Sequence, residues 1–156
     1  MSKYNLVKNC RICNSTNLHL ILDLGEQPPA NSLIDKSQLN TIEPKFPLRL
    51  FWCGDCFLVQ LLDIVNKEHL FKHYLYMTSA SKPIVDHFKK YAVDIFNKFL
   101  NKQENPFVVE IGSNDGSLLR EFKKLGSSIL GIEPASNLAK LANDSDITTL
   151  NDFFSL

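Results

Sequence analysis

Two cysteine pairs, Cys10-Arg11-Ile12-Cys13 and Cys53-Gly54-Asp55-Cys56, constrain the fold of this chain more than any other feature. These are its only four cysteines, both pairs are C-x2-C, and 39 residues separate them. A C-x2-C turn places two sulfurs on one side of a tight loop, and two such turns close the tetrahedron that zinc prefers. Four thiolates leave no open coordination position, so such a metal holds structure and does no chemistry. The separation exceeds that of the familiar zinc ribbons, so the intervening residues must form an excursion that returns to the second turn. Two other readings stay open: four reduced thiols without metal, and a redox pair. A redox C-x2-C usually opens a helix after a strand. Here the second pair falls between two apolar runs and the first lies near a terminus. Four cysteines in 156 residues are too few for a disulfide scaffold.

The length allows one ordinary domain or two small ones. With 44% hydrophobic and 22% charged residues, the composition is that of a folded globule. The 17 basic and 17 acidic side chains cancel, which argues against nucleic-acid binding by bulk electrostatics. Apolar runs such as Leu20-Ile21-Leu22 and Phe57-Leu58-Val59 are far short of the roughly 20 residues that cross a bilayer. The start leads into no apolar signal core, and a cytoplasmic location is the default expectation.

The first sixty residues read as short strands and loops. Leu18 to Leu24 is an apolar run that Gly25 should stop, followed by a loop at Pro28-Pro29. Pro47 to Trp52 and Phe57 to Leu62 read as a hairpin whose turn holds the second cysteine pair. Met77 to Ser81 reads as a loop. Pro83 suits the first turn of a helix. Ile84, Phe88, Tyr91, Ala92, Ile95, Phe96 and Phe99 then recur at helical steps and predict a helix over about 83–102. From residue 107 the pattern alternates: strand 107–111, helix 118–125, strand 128–132, helix 135–143, strand 147–150. Such alternation predicts parallel strands with right-handed crossovers. The expected divisions are 1–65, a small β-rich zinc-binding domain; 66–105, a linker with the long helix; and 106–156, an α/β unit.

Gly112-Ser113-Asn114-Asp115-Gly116 joins the first strand of that unit to its first helix, and Glu133 follows 21 residues after Gly112, at the end of the second strand. Glycines let a ligand approach the backbone, and the helix start offers free N–H groups. A carboxylate at the second strand end can accept both hydroxyls of a ribose. The dinucleotide fingerprint G-x-G-x-x-G would need glycine at 114 and 117, where Asn and Ser stand. A cofactor with a ribose but no phosphate fits better, and S-adenosylmethionine is the common one. Glu110 could then face its ammonium group and Asp152 its adenine amine. The plainer alternative is that the glycines only end a strand and the carboxylates are solvated.

The chain resembles the bacterial sugar C-methyltransferases, which act on nucleotide-linked deoxysugars with S-adenosylmethionine. The matching stretches are Cys10 to Cys13, Leu22-Asp23-Leu24-Gly25, Pro28-Pro29-Ala30-Asn31-Ser32-Leu33, Cys53 to Leu61, Tyr74-x-Tyr76, Ser79-x-Ser81, Glu110 to Gly116, Gly131 to Ala135 and Asn151-Asp152-Phe153-Phe154. The resemblance implies a zinc-binding domain held by Cys10, Cys13, Cys53 and Cys56, then an incomplete Rossmann-like class I methyltransferase core with three of seven strands. It implies cofactor binding by residues at Glu110, Gly112, Asn114, Gly116, Glu133 and Asp152. Tyr76 and Ser79 fall in the segment that in this family approaches cofactor and sugar. The base that removes the proton beside a ketone resembles a histidine beyond the last residue here. C-methylation requires one, because the carbon must become enolate-like before it attacks a methyl group.

No residue present is assigned that role. Tyr76 and His87 are the weak candidates, and packing or a surface position is the plainer reading of each. The expectation is a truncated or split enzyme, inactive alone, with its third strand an exposed edge open to a second chain that supplies the missing half. The alternatives are a non-catalytic zinc-stabilised binding module and an RNA methyltransferase. The near-neutral first sixty residues, with 6 basic and 5 acidic side chains, speak against the RNA reading.

Overall fold

The computed structural model describes residues 4–155 and divides the chain into two compact units, between Leu70 and Phe71. The long helix thus falls in the second unit, with the α/β elements. No helix among the described residues is long and apolar enough to cross a membrane.

The first unit holds β1 (Tyr4–Leu6), β2 (Leu18–Gln27), β3 (Phe46–Cys53), β4 (Val59–Leu61) and β5 (Asp63–Val65). Strands β2, β3 and β4 form an antiparallel sheet in that order, and β1 pairs antiparallel with β5. The β3–β4 hairpin is the one expected, with the second cysteine pair at its turn. Strand β2 runs three residues past the expected stop at Leu24. Gly25, at φ +69, sits inside a register shift between Asp23 and Glu26, so it bends the strand without ending it. The strand expected over Phe57 to Leu62 is shortened to β4, and β5 starts just beyond it at Asp63, where the chain leaves β3 to pair with β1 in the other sheet. Arg49 on β3 ties the two sheets through two bonds to Asp63 on β5, at 2.6 and 2.8 Å. The buried hydrophobic side chains described here are Cys10, Phe46, Cys53 and Leu62. Two of these four are thiols, so apolar burial alone is thin support for a unit of this size.

Short helix α1 (Lys67–Phe71) spans the division. In the second unit, α2 (Lys82–Ile95) starts with Pro83 in its first turn and continues as a π-helical turn, Phe96–Leu100, closed by Asn101 N–H to Phe96 O at 2.9 Å. Then come β6 (Phe107–Ile111), α3 (Ser117–Lys124), β7 (Ser128–Ile132), α4 (Ser136–Asp144) and β8 (Thr149–Leu150). The three strands are parallel in the order β6-β7-β8. Leu119, Ala142 and Ile147 form the buried centre, with Val108 and Ile129 packed against them. Helix α2 lies on α3, with Ala92 fully buried, while Tyr91 and Phe99 of the expected apolar face stay exposed. The third strand is indeed an edge, but only two residues long. The longer edge is β6, which pairs on one side only and leaves Phe107, Val109 and Ile111 exposed on one face.

Candidate metal centre and cofactor turn

Both cysteine turns have the same backbone. Asn14 N–H donates to Cys10 O at 3.0 Å, and Phe57 N–H donates to Cys53 O at 2.9 Å. Asn14 and Phe57, each following the second cysteine of its pair, both stand at φ +62. Asparagine tolerates that left-handed conformation, but for phenylalanine it is a strained outlier. The same strained geometry in two turns of different sequence marks a site that imposes it.

The four sulfurs lie within 4.8 Å of one another, with Cys10–Cys56 at 3.5 Å and Cys13–Cys53 at 3.6 Å. Zinc–sulfur bonds of about 2.3 Å in a tetrahedron put sulfurs about 3.8 Å apart, so the donor set fits zinc. These distances are far from the ~2.05 Å of a disulfide.

The thiols also show why a cation belongs there. Cys10 is pulled down from 9.0 to about 6, first by the N–H of Cys13, against burial, and further by Ile12 N–H and the Gln60 side chain. For Cys13 the N–H of Ser15 acts downward, yet burial and the other three sulfurs push the thiol up to about 12. The turn amides thus favour a thiolate at Cys10 while its sulfur neighbours oppose one at Cys13, and a bound cation would favour the ionised form of both.

Polar contacts join the turns independently of metal. Asp55 accepts from Ser15 Oγ and from Asn17 Nδ2 at 2.8 Å, and these bonds hold its carboxyl below the usual range. Gly54 N–H donates to Asn17 O at 2.9 Å. Gln60 Oε1 accepts the N–H of Arg11 at 3.0 Å, and the same side chain reaches the Cys10 thiol. Sequence reading named the cysteines but missed this support. Asn14 carried a faint signal, as an asparagine just past a turn, whereas Phe57, Asp55 and Gln60 fell in a stretch of the family resemblance that gave them no role of their own.

In the second unit the glycine turn has φ +71 at Gly112 and +73 at Gly116. A Cβ on Gly116 would stand 2.7 Å from Ile147 Cγ2, so that glycine serves packing, whereas a Cβ on Gly112 would meet nothing within 4 Å. The open side of the turn is therefore at Gly112. Asp115 accepts from Ser117 N–H at 3.2 Å and Ser117 Oγ at 2.6 Å, capping the start of α3. Its carboxyl is depressed although burial opposes this, because Ser117 and Ser79 bond to it.

Glu110 lies on β6 with Oε2 buried and unpartnered. Burial first, then the charges of Asp115 and Glu133, raise it from 4.5 to about 7. Glu133 is buried, with Oε2 accepting Asn114 N–H and Oε1 accepting Ala135 N–H, both at 2.8 Å. It therefore ties the end of β7 to the glycine turn, and a ribose would have to share oxygens already in use. Asp152 is exposed and accepts Phe153 N–H at 2.7 Å. Tyr76 and Ser79 come to the turn through their backbone: Asn114 Nδ2 donates to Tyr76 O at 3.0 Å, and Ser79 N–H donates to Asp115 Oδ2 at 2.8 Å. His87 is exposed on α2, its ring stacked on Tyr91 at 6.1 Å, outside this bonded network.

Residues 10–71 match a family model described as "Putative zinc binding domain". Over 144 residues, 92% of its length, the chain is 32% identical to the C-methyltransferase NovU of Streptomyces niveus. Over nearly its whole length the chain is thus similar to part of a C-methyltransferase. It spans about a third of that relative's length, 34%. With four converging sulfurs inside the matched stretch, the first unit is a zinc-binding domain.

Proposed function

We propose that this chain carries the zinc-binding domain and the first part of the cofactor site of an S-adenosylmethionine-dependent methyltransferase that methylates a carbon of a nucleotide-linked deoxysugar. The observation that carries the cofactor reading is Glu110. A buried carboxylate oxygen without a hydrogen-bond partner, on the strand that leads into Gly112 and within reach of the charges of Asp115 and Glu133, suits a cationic ligand. The ammonium of S-adenosylmethionine is such a group.

In this reading Gly112 lets the cofactor approach the backbone, Glu133 shares an oxygen with the ribose, and Asp152 reaches toward the adenine. The bound cofactor supplies an electrophilic methyl group. Tyr76 and Ser79 lie on the sugar side. The residues of the turn bind and orient, and alignment of acceptor and donor is a large part of the rate.

The exposed apolar face and free backbone of β6 are where further strands would add, from a continuing or separate chain. A second reading, a zinc-stabilised binding module without catalysis, makes the same zinc site but needs no ligand at Glu110.

The test is an NMR titration of the full chain with S-adenosylmethionine and, separately, ATP. The expected result is weak binding in the millimolar range, with shifts centred on Gly112, Asn114 and Glu133, lost in Glu110→Gln and not reproduced by ATP. Equal shifts with ATP, or none at the turn, would overturn the cofactor reading. Micromolar binding would overturn the view that the pocket is incomplete.

A further inference from the structure

Residues 72–79 form an irregular segment whose backbone is held by side chains distant in sequence. At one end Lys72 O accepts the N–H of Ser136 at 3.1 Å, and its weaker partner is Ser136 Oγ at 3.4 Å. Next, the Asn137 amide brackets Tyr74: its Oδ1 accepts Tyr74 N–H at 3.2 Å and its Nδ2 donates to Tyr74 O at 2.7 Å. Then the Asn114 amide spans two residues on: its Nδ2 donates to Tyr76 O at 3.0 Å and its Oδ1 accepts Thr78 N–H at 3.0 Å. Asp115 closes the row by accepting Ser79 N–H.

A backbone donor or acceptor away from water needs a partner. Here two asparagine amides provide the donor–acceptor pairing that a neighbouring strand would otherwise give. While the backbone is fastened, the side chains of Leu75, Tyr76 and Met77 remain 41–46% exposed. The segment is thus fixed to the cofactor turn and to the start of α4, and displays these three side chains outward while Thr78 is buried.

We infer that Asn114 and Asn137 are positioning residues: their amides clamp the 74–78 backbone so that the glycine turn and the start of α4 set where Tyr76 is presented to the acceptor. This deepens the proposed function and rests on it for the words cofactor and acceptor. Asn114 is well suited to the task. It stands at φ +52, which asparagine tolerates, and its own N–H is already fixed by Glu133. Its side chain bonds the 76–78 segment on both its atoms, Oδ1 also accepting Asp115 N–H at 3.0 Å within the turn, so its part in the site is to orient that segment against the turn.

The test is residue-resolved amide hydrogen exchange on the full zinc-loaded chain, without ligand. Asn114→Gly keeps the left-handed turn and removes the clamp. Asn114→Asp keeps the acceptor oxygen and removes only the donor to Tyr76 O. In Asn114→Gly the Thr78 amide should exchange at least ~10-fold faster, as for loss of a net hydrogen bond of about 1.4 kcal/mol. The amides of β6, β7 and α3 should change less than about 2-fold. Asn137→Ala should do the same at Tyr74, and Asn114→Asp should leave Thr78 largely protected. Unchanged exchange at Thr78 in Asn114→Gly, or acceleration spread evenly through α3 and the sheet, would overturn the clamp. Addition of millimolar S-adenosylmethionine separates the two claims. Slowing of Thr78 and Ser79 in the wild type but not in Asn114→Gly supports the coupling. Slowing in both overturns it. Absence of any ligand effect at the turn of the wild type sinks the cofactor reading, while the ligand-free comparison still decides the clamp.

Discussion

At the scale of single residues, the site is built from groups held in states they would not choose in water. Glu110 is the clearest. Its folded value, about 7, lies above its ordinary 4.5. Between those values the native state binds more protons than the unfolded one, so stability must fall as pH rises through the window. Glu110→Gln should therefore stabilise the chain at pH 8 by on the order of 2 kcal/mol, discounted for the solvent the side chain still meets. The gain should vanish below about pH 4.5. Thermal melts of both forms across pH 4–8 check this, and a pH-independent difference would contradict it. Gln60 is a second case. Removing its side chain leaves the Arg11 N–H without its acceptor and loosens the first cysteine turn. Gln60→Ala should speed zinc release to a chromogenic chelator about 10-fold, as outer-shell changes do. An unaltered release rate would show that Gln60 only fills space.

At the scale of elements, most of the α/β unit was legible because its strands are short apolar runs bounded by glycine or proline. Thus β6 follows Pro106, β7 ends before Pro134, and Gly126 closes the turn after α3 at φ +92. The cysteine turns were legible because thiol spacing is a strong signal. Other elements were hidden for physical reasons. Gly25 reads as a stop, yet a bulge carries β2 through it. The 72–79 segment has no periodic pattern, since its hydrogen bonds go to Asn114, Asn137 and Asp115, 36 to 63 positions away. Glu133 was legible as a carboxylate at a strand end, but its double grip on backbone N–H groups was not. The Arg49–Asp63 pair, also unseen in the sequence, carries the link between the two sheets of the first unit. Asp63 is 1% exposed and Arg49 30%. Asp63→Ala should cost about 2–3 kcal/mol in urea unfolding, somewhat below the loss for a fully buried pair because Arg49 keeps partial hydration. A loss under about 0.5 kcal/mol would place the pair with ordinary surface ion pairs.

At the scale of the whole molecule, two units use two different solutions to the same shortage of core. The second unit buries Leu119, Ala142 and Ile147 between its sheet and helices. The first has few fully buried apolar side chains beyond its cysteines, and a zinc ion held by Cys10, Cys13, Cys53 and Cys56 would supply what burial does not. Everything claimed for the first unit depends on that ion. The deciding measurement is metal content together with thiol titration of the natively purified chain. The account predicts about one equivalent of zinc per chain, with Cys10, Cys13, Cys53 and Cys56 unreactive until a chelator removes it. Far less than one equivalent, with all four thiols reacting freely at once, would contradict it.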